Sequence, residues 1–429
     1  MKTILIQKVY LKGKVCDVLI AGNKIGEIAD CIDVTADKIV DGTQKALIPG
    51  FANAHTHSAM TLFRGLGEDI PLMEWLHQYI WPYEAQLDEE MVYWGAKLAC
   101  VEMIRSGTTA CNDLYWYIPS CVRAMEEMGM RSVQGYSWID FCTQERAEKH
   151  KIELVRMHKE SEGWSELTQF SVGPHAIYSV SGDSLQWMAD YARAHGLMFH
   201  IHLAESQQEY EDAFKKWGVT PTRYLYDLGV LGPNVVVAHG VWLSPEDMQL
   251  LGDHGVSVVH NPNSNLKLAS GYKFKYSELK DAGVRVCLGT DGCASSNNLD
   301  MIEAMKHAAL LQKAWRRDPA AMPLNELMNI CSLHGYEAMG IHAGKVEVGW
   351  LADLVLIDLK QSAFVPDHNF NANLIYAANG SAVDTVICNG RILMERKQIE
   401  GEAQILEMAQ KMAKTLVETQ FIASLHPKK

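Results

Sequence analysis

Two imidazoles two residues apart, His55-Thr56-His57, close the short apolar run Leu47–Ala54. Alone the pair says little, because 17 histidines among 429 residues produce such a spacing by chance about as often as not. Its setting gives it weight. On a strand, residues i and i+2 project from one face, so both rings point the same way at the end of the run. Other apolar runs end in the same manner. Leu197–Leu203 carries His200 and His202 and is followed by Glu205, while Asn234–His239, Val284–Asp291 and Gln169–His175 end on His239, Asp291 and His175. So many ligand-type side chains on independent run ends point to a metal site. Three neutral imidazoles and a carboxylate suit one divalent cation, Zn2+ or Fe2+, with a position left for water. His55, His57, His202 and Asp291 are the expected ligands, and His239 is the expected polariser of the water. His200 would lie one layer deeper, where a core role is expected. Glu205 is placed to take a proton from that water and deliver it elsewhere. The plainer role for such a carboxylate is an acid at a helix N-terminus.

These residues need a frame that gathers strand ends. The chain contains eight such runs: Leu47–Ala54, Thr108–Asp113, Arg131–Ser137, Gln169–His175, Leu197–Leu203, Asn234–His239, Val256–Asn261 and Val284–Asp291. Segments of helical spacing such as Asp183–His195 and Pro245–His254 lie between them. Ser244-Pro245-Glu246-Asp247 reads as a helix start: a capping hydroxyl, proline in the first turn, then acids. Eight strand-plus-helix units in series predict an α/β fold, a (β/α)8 barrel with its chemistry at the C-terminal strand ends. Residues 3–41, 346–358 and 383–394 instead read as short strands split by glycine turns. The expected organisation is a barrel over 53–343, flanked by a β-sandwich built from 1–52 and 344–429. Within 402–424, Ile405, Met408, Met412 and Leu416 stand at helical spacing and predict a helix packing back on the body.

Composition narrows the function classes. A hydrophobic fraction of 48% and a charged fraction of 21% are ordinary globular usage, against disordered, collagenous or coiled-coil chains. A net charge of −13 with no basic tract is unsuited to nucleic-acid polymers, whose phosphates need clustered Lys and Arg. No apolar stretch of about 18 residues offers a membrane span. The ten cysteines are scattered without a C-x-x-C pair, which argues against cysteine-cluster metal sites and thioredoxin-like chemistry. With no export signal in view, they suit reduced core thiols in a cytoplasmic protein.

Five strings, taken together, resemble the amidohydrolase superfamily: Pro49-Gly50-Phe51-Ala52-Asn53-Ala54-His55-Thr56-His57, His202-Leu203-Ala204-Glu205, Ala238-His239-Gly240, His260-Asn261-Pro262-Asn263-Ser264-Asn265 and Gly289-Thr290-Asp291-Gly292. They span nearly the whole chain in the expected order. The resemblance is closest to the mononuclear deaminase branch that includes 5′-methylthioadenosine/S-adenosylhomocysteine deaminases and triazine chlorohydrolases. It implies the ligand set above and a barrel flanked by a sandwich from both termini. A binuclear centre would be expected to show a bridging Lys on the fourth strand, and Gln169–His175 contains none.

The implied reaction is hydrolytic deamination of 5′-methylthioadenosine, S-adenosylhomocysteine, 5′-deoxyadenosine or adenosine. Water and a small purine nucleoside would be the partners, and a homo-oligomer is compatible with the sequence. In this reaction Glu205 would move a proton to the purine N1, while Asp291 and His239 steady the charge that develops at C6. The resemblance assigns ribose recognition to Glu84, whose carboxylate can accept from both hydroxyls, and a second sugar contact to His175. Trp75 could stack against base or thioether. Alternatively, residues 60–83 form an amphipathic lid that packs Met60, Phe63 and Trp75 inward. One departure concerns S-adenosylhomocysteine. An approximate alignment puts Tyr136 where the resemblance expects a carboxylate-holding Arg, with Arg146 as a replacement for a second one. A Tyr cannot replace a bidentate guanidinium, which favours the smaller 5′ groups. The rival reading is a deaminase or chlorohydrolase of guanine, a pterin or a triazine. An inactive scaffold would be expected to lack ligands, and none is missing.

Overall fold

The first forty residues carry short β-prone apolar runs, such as Ile4–Ile6 and Val18–Ile20, separated by turns at Gly13 and Gly22, and these runs fold into strands. In the computed structural model, which describes residues 2–425, these are β1 (Thr3–Leu11), β2 (Lys14–Ala21), β3 (Lys24–Ala29), β4 (Lys38–Asp41) and β5 (Lys45–Pro49). Eight strands then alternate with helices: β6 (Phe51–Thr56), β7 (Thr108–Tyr115), β8 (Arg131–Trp138), β9 (Thr168–Pro174), β10 (Met198–Leu203), β11 (Val235–His239), β12 (Ser257–His260) and β13 (Arg285–Leu288). Neighbours in this series pair parallel and in sequence order. The two ends of the series meet where the Asp291 N–H donates to the His55 carbonyl at 3.0 Å. Across the same seam Asn53 donates to Thr290 Oγ1 at 2.7 Å and accepts from the Thr290 N–H at 3.0 Å. The result is a (β/α)8 barrel.

The chain's far end returns to the first sheet. β14 (Leu354–Asp358), β15 (Val383–Cys388) and β16 (Arg391–Met394) extend it in the order β16-β15-β14-β5-β1-β2-β3, with β4 beside β1. β14 and β5 pair antiparallel from Leu354↔Pro49 to Asp358↔Lys45, so N- and C-terminal segments share one sheet. A buried ion pair ties it to the barrel: Arg131 Nε at the foot of β8 lies 2.7 Å from Asp353 Oδ2.

One expectation needs correction. Leu47–Ala54 is not a single strand; it is the end of β5 and the start of β6, in different sheets. Gly50 makes the corner possible, because a Cβ there would come within 2.0 Å of Thr109 Oγ1. The helix start at Ser244 forms as expected. Its hydroxyl accepts from the Asp247 N–H at 3.1 Å, and Asp247 accepts from the Ser244 N–H at 2.9 Å, a reciprocal cap. The terminal helix, Glu402–Leu425, buries Ala409, Met412 and Leu416 in a cluster that also holds Phe63, Trp75 and Ile80, while Ile405 joins the main core. It thus braces the segment that roofs the barrel mouth. Among the described residues, no helix is long and apolar enough to cross a membrane.

Candidate metal centre and catalytic pocket

Strand ends bring His55, His57, His202, His239 and Asp291 to one place at the barrel mouth. Hydrogen bonds fix which ring nitrogen each histidine presents. His57 Nδ1 lies 2.6 Å from the Leu114 carbonyl and His202 Nδ1 lies 2.7 Å from the His175 carbonyl. A carbonyl can only accept, so both Nδ1 atoms carry protons and, in neutral rings, both Nε2 atoms carry lone pairs. Those two Nε2 atoms face each other at 3.2 Å. Asp291 Oδ1 is 3.3 Å from His57 Nε2 and 3.3 Å from His55 Nε2, and the latter nitrogen has no hydrogen-bond partner. Buried lone pairs that point at one another and at a carboxylate repel unless a cation lies among them. The donor set therefore fits a divalent metal, and its geometry leaves each Nε2 ready as a ligand.

Burial lowers the affinity of His55 and His202 for protons, with neighbouring imidazoles acting in the same direction. Burial alone would raise the Asp291 pKa, but the adjoining imidazoles of His55, His57 and His239 hold it well below the usual carboxylate value. Asp291 is also clamped. Its Oδ2 accepts from Ser264 Oγ at 2.6 Å and Ser295 Oγ at 2.8 Å, and its Oδ1 accepts from the Gly292 N–H at 2.8 Å. Sequence reasoning missed both serines, although Ser264 stands within the quoted His260–Asn265 string.

Glu205 lines the pocket, with Oε2 3.8 Å from His239 Nε2. The cap of the following helix is Ser206, whose hydroxyl accepts from the Glu209 N–H at 3.1 Å. The Glu209 carboxylate accepts from the backbone N–H groups of Ala204 and Glu205 at 2.9 Å each, so Glu205 itself is not the capping group. Burial, then Asp291 and Glu209, pushes the Glu205 carboxyl well above the ordinary value. His239 is driven down to about 3, chiefly by burial. Its Nδ1 accepts from the Asn265 amide at 3.0 Å, so its Nε2–H is the proton turned toward the pocket.

Trp75, Glu84 and His175 also line this pocket, together with Trp81 and Tyr178, which the sequence reading did not single out. Burial beneath the roof pushes Glu84 up to about 7, against the opposing effects of His57, Tyr115 and Trp116. His175 does two things: its carbonyl orients His202, and its ring Nδ1 lies 2.7 Å from Ser179 Oγ. Burial lowers that ring to about 4. The lid reading of 60–83 also holds in part, since Met60, Phe63 and Trp75 are all buried. Trp75 is thus packing residue and pocket wall at once.

Arg146 is exposed and lies outside the inner pocket, with its guanidinium 5.1 Å from the Phe141 ring. It borders an outer groove shared with Trp81, Glu84 and Trp116. Tyr136 requires correction. Its side chain points behind the sheet, where its hydroxyl meets His150 Nδ1 at 3.0 Å; Ser137 and Ile139 line the pocket instead. Strand alternation turned the aligned position away from the pocket, so Tyr136 carries no argument about the 5′ group.

Known proteins match this arrangement over most of the chain. The model of the amidohydrolase family matches residues 46–393. A 5′-deoxyadenosine deaminase of Methanospirillum hungatei is 46% identical over 384 residues, covering 89% of this chain and 85% of that protein. A 5-methylthioadenosine/S-adenosylhomocysteine deaminase of Archaeoglobus fulgidus is 42% identical, covering 92% and 94%. The crystal structure of an adenosine deaminase from Xanthomonas campestris with bound zinc superposes with a TM-score of 0.91 at 32% identity, covering 97% and 98%.

Proposed function

Because this chain belongs to the amidohydrolase family, we infer that the pocket at its strand ends is the active site of an aminohydrolase. The enzyme removes the exocyclic amino group from an adenosine-type nucleoside, giving the inosine analogue and ammonia. The observation that carries this reading is the convergence of three ring nitrogens and Asp291 Oδ1 beside Glu205 and the Nε2–H of His239. His55, His57, His202 and Asp291 hold one divalent cation. Zn2+ is our assignment, supported by the donor set and by the zinc in the Xanthomonas relative. When bound, the cation supplies Lewis acidity that makes water a competent nucleophile near neutral pH.

The chain's own groups handle the protons. Glu205 takes one proton from the attacking water and delivers it to N1 of the purine, which makes C6 electrophilic. His239 donates its Nε2–H to the oxygen that gains charge as water adds to C6. Asp291, clamped by Ser264 and Ser295, stays ionised across the site. Glu205 then carries the second water proton to the amino group, which leaves as ammonia. Glu84 accepts from the ribose hydroxyls, His175 borders the sugar, Trp75 forms the apolar wall, and Arg146 flanks the outer groove. The ten unpaired cysteines suit a reducing, cytoplasmic setting.

Ammonia release measured across 5′-deoxyadenosine, 5′-methylthioadenosine, S-adenosylhomocysteine, adenosine, guanine and isoxanthopterin tests the reading. Turnover of the nucleosides is expected. Turnover of guanine or the pterin with none of the nucleosides would refute it.

A further inference from the structure

His200 belongs neither to the ligand set nor to the proton-moving groups, yet it is fully buried against one of the ligands. Its Nε2 lies 3.0 Å from His55 Nδ1, with the two rings edge-on at 86°. Its own Nδ1 has no partner among the described residues. One proton occupies the contact between the rings, so their tautomers are tied. With that proton on His55 Nδ1, His55 Nε2 offers its lone pair toward Asp291 and the metal position, while His200 carries its proton on Nδ1. With it on His200 Nε2, the His55 proton sits on Nε2 and closes the ligand position.

The other two histidine ligands face no such choice, because the carbonyls of Leu114 and His175 can only accept. His55 alone is backed by a group able to donate or accept. We propose that His200 is a positioning residue for the metal centre: as its Nδ1–H tautomer it orients His55 and keeps His55 Nε2 free for the cation. This rests on the reading of His55 as a ligand. No charge changes, since both rings stay neutral.

Zinc-loaded protein labelled with 15N-histidine gives the direct test. His200 should carry its proton on Nδ1, and a protonated Nε2 on His200 would overturn the proposal. His200→Phe removes the acceptor and should weaken zinc binding about 10- to 100-fold in chelator competition. The d–d spectrum of the Co2+-substituted variant should change with it. His200→Gln restores an acceptor near the Nε2 position and should recover affinity to within a few-fold of the parent. The metal-free forms of both variants should melt together. Parental zinc affinity in the Phe variant, or no recovery in the Gln variant, refutes the role. Should the Phe variant fail to fold, the tautomer measurement on the parent decides. His55→Ala checks the underlying reading separately: parental zinc affinity there removes His55 from the ligand set, whatever His200 does.

Discussion

Glu84 offers a prediction whose size follows from its surroundings. Enclosure under the roof holds its carboxyl at about 7. A carboxylate can accept from both ribose hydroxyls, whereas the protonated acid must spend one oxygen as a donor. Binding should therefore follow the ionised fraction, which is about one in eleven at pH 6 and about ten in eleven at pH 8. The specificity ratio kcat/KM for adenosine over 2′,3′-dideoxyadenosine should rise about tenfold across that interval. Taking the ratio cancels ionisations common to both substrates, such as those of Glu205 and the nucleophile. Glu84→Gln replaces two charge-assisted hydrogen bonds with neutral ones, a loss of about 1 to 1.5 kcal/mol each. Its kcat/KM for adenosine should fall about 30- to 150-fold, and the pH slope of the ratio should vanish. The assay is initial-rate ammonia release at five or six pH values with parent and variant. A flat ratio in the parent, or an equally steep one in the variant, would refute the ribose role of Glu84.

Glu205→Gln should keep its zinc but lose about 10²- to 10⁴-fold in kcat, read by elemental analysis and steady-state rates. Its metal-free form should also outlast the parent on heating, by a margin that widens as pH rises from 5 to 8. The folded-state pKa of Glu205 lies well above 4.5, so the parent loses stability with rising pH and the amide does not. Exhaustive chelation should abolish ammonia release and Zn2+ should restore it; activity surviving in metal-free protein would contradict the centre. Asp353→Ala strands the buried guanidinium of Arg131 and should cost about 3 to 5 kcal/mol in denaturant unfolding. An effect below 1 kcal/mol would mean the pair is not a strut between sheet and barrel.

The legible part of this protein is what periodicity and side-chain chemistry encode locally. Eight apolar runs specify parallel strands, and the His and Asp residues at or just beyond several of their ends specify where chemistry can occur. Helix starts such as Ser244–Asp247 are equally local. Gly50 shows where local reading stops: the run around it is apolar from Leu47 to Ala52, and only the tertiary structure shows that the chain changes sheets there, with Thr109 too close to admit a side chain. Tyr136 shows the same limit at one-residue resolution, because a shift of one along a strand exchanges pocket for helix layer. The partners that orient the proposed ligands were out of reach for a different reason. The carbonyls of Leu114 and His175 are backbone atoms that every residue type possesses, so no sequence marks them.

Those hidden partners explain how a barrel tolerates so many buried imidazoles. Each ring leaves one nitrogen for the cation only if its other nitrogen is satisfied, and neighbouring strands do this for His57 and His202. The strand ends are shaped to match. Ala204, His239 and Asp291 adopt left-handed backbone with φ of 51°, 76° and 61°, a conformation costly for residues with a Cβ. All three mark departures from barrel strands, and each turn aims a side chain or its follower, Glu205 in the case of Ala204, across the mouth. Regular strands would have sent the chain straight out of the barrel. The local strain and the clustered lone pairs are therefore two aspects of one preorganised site, the one proposed to hold a cation.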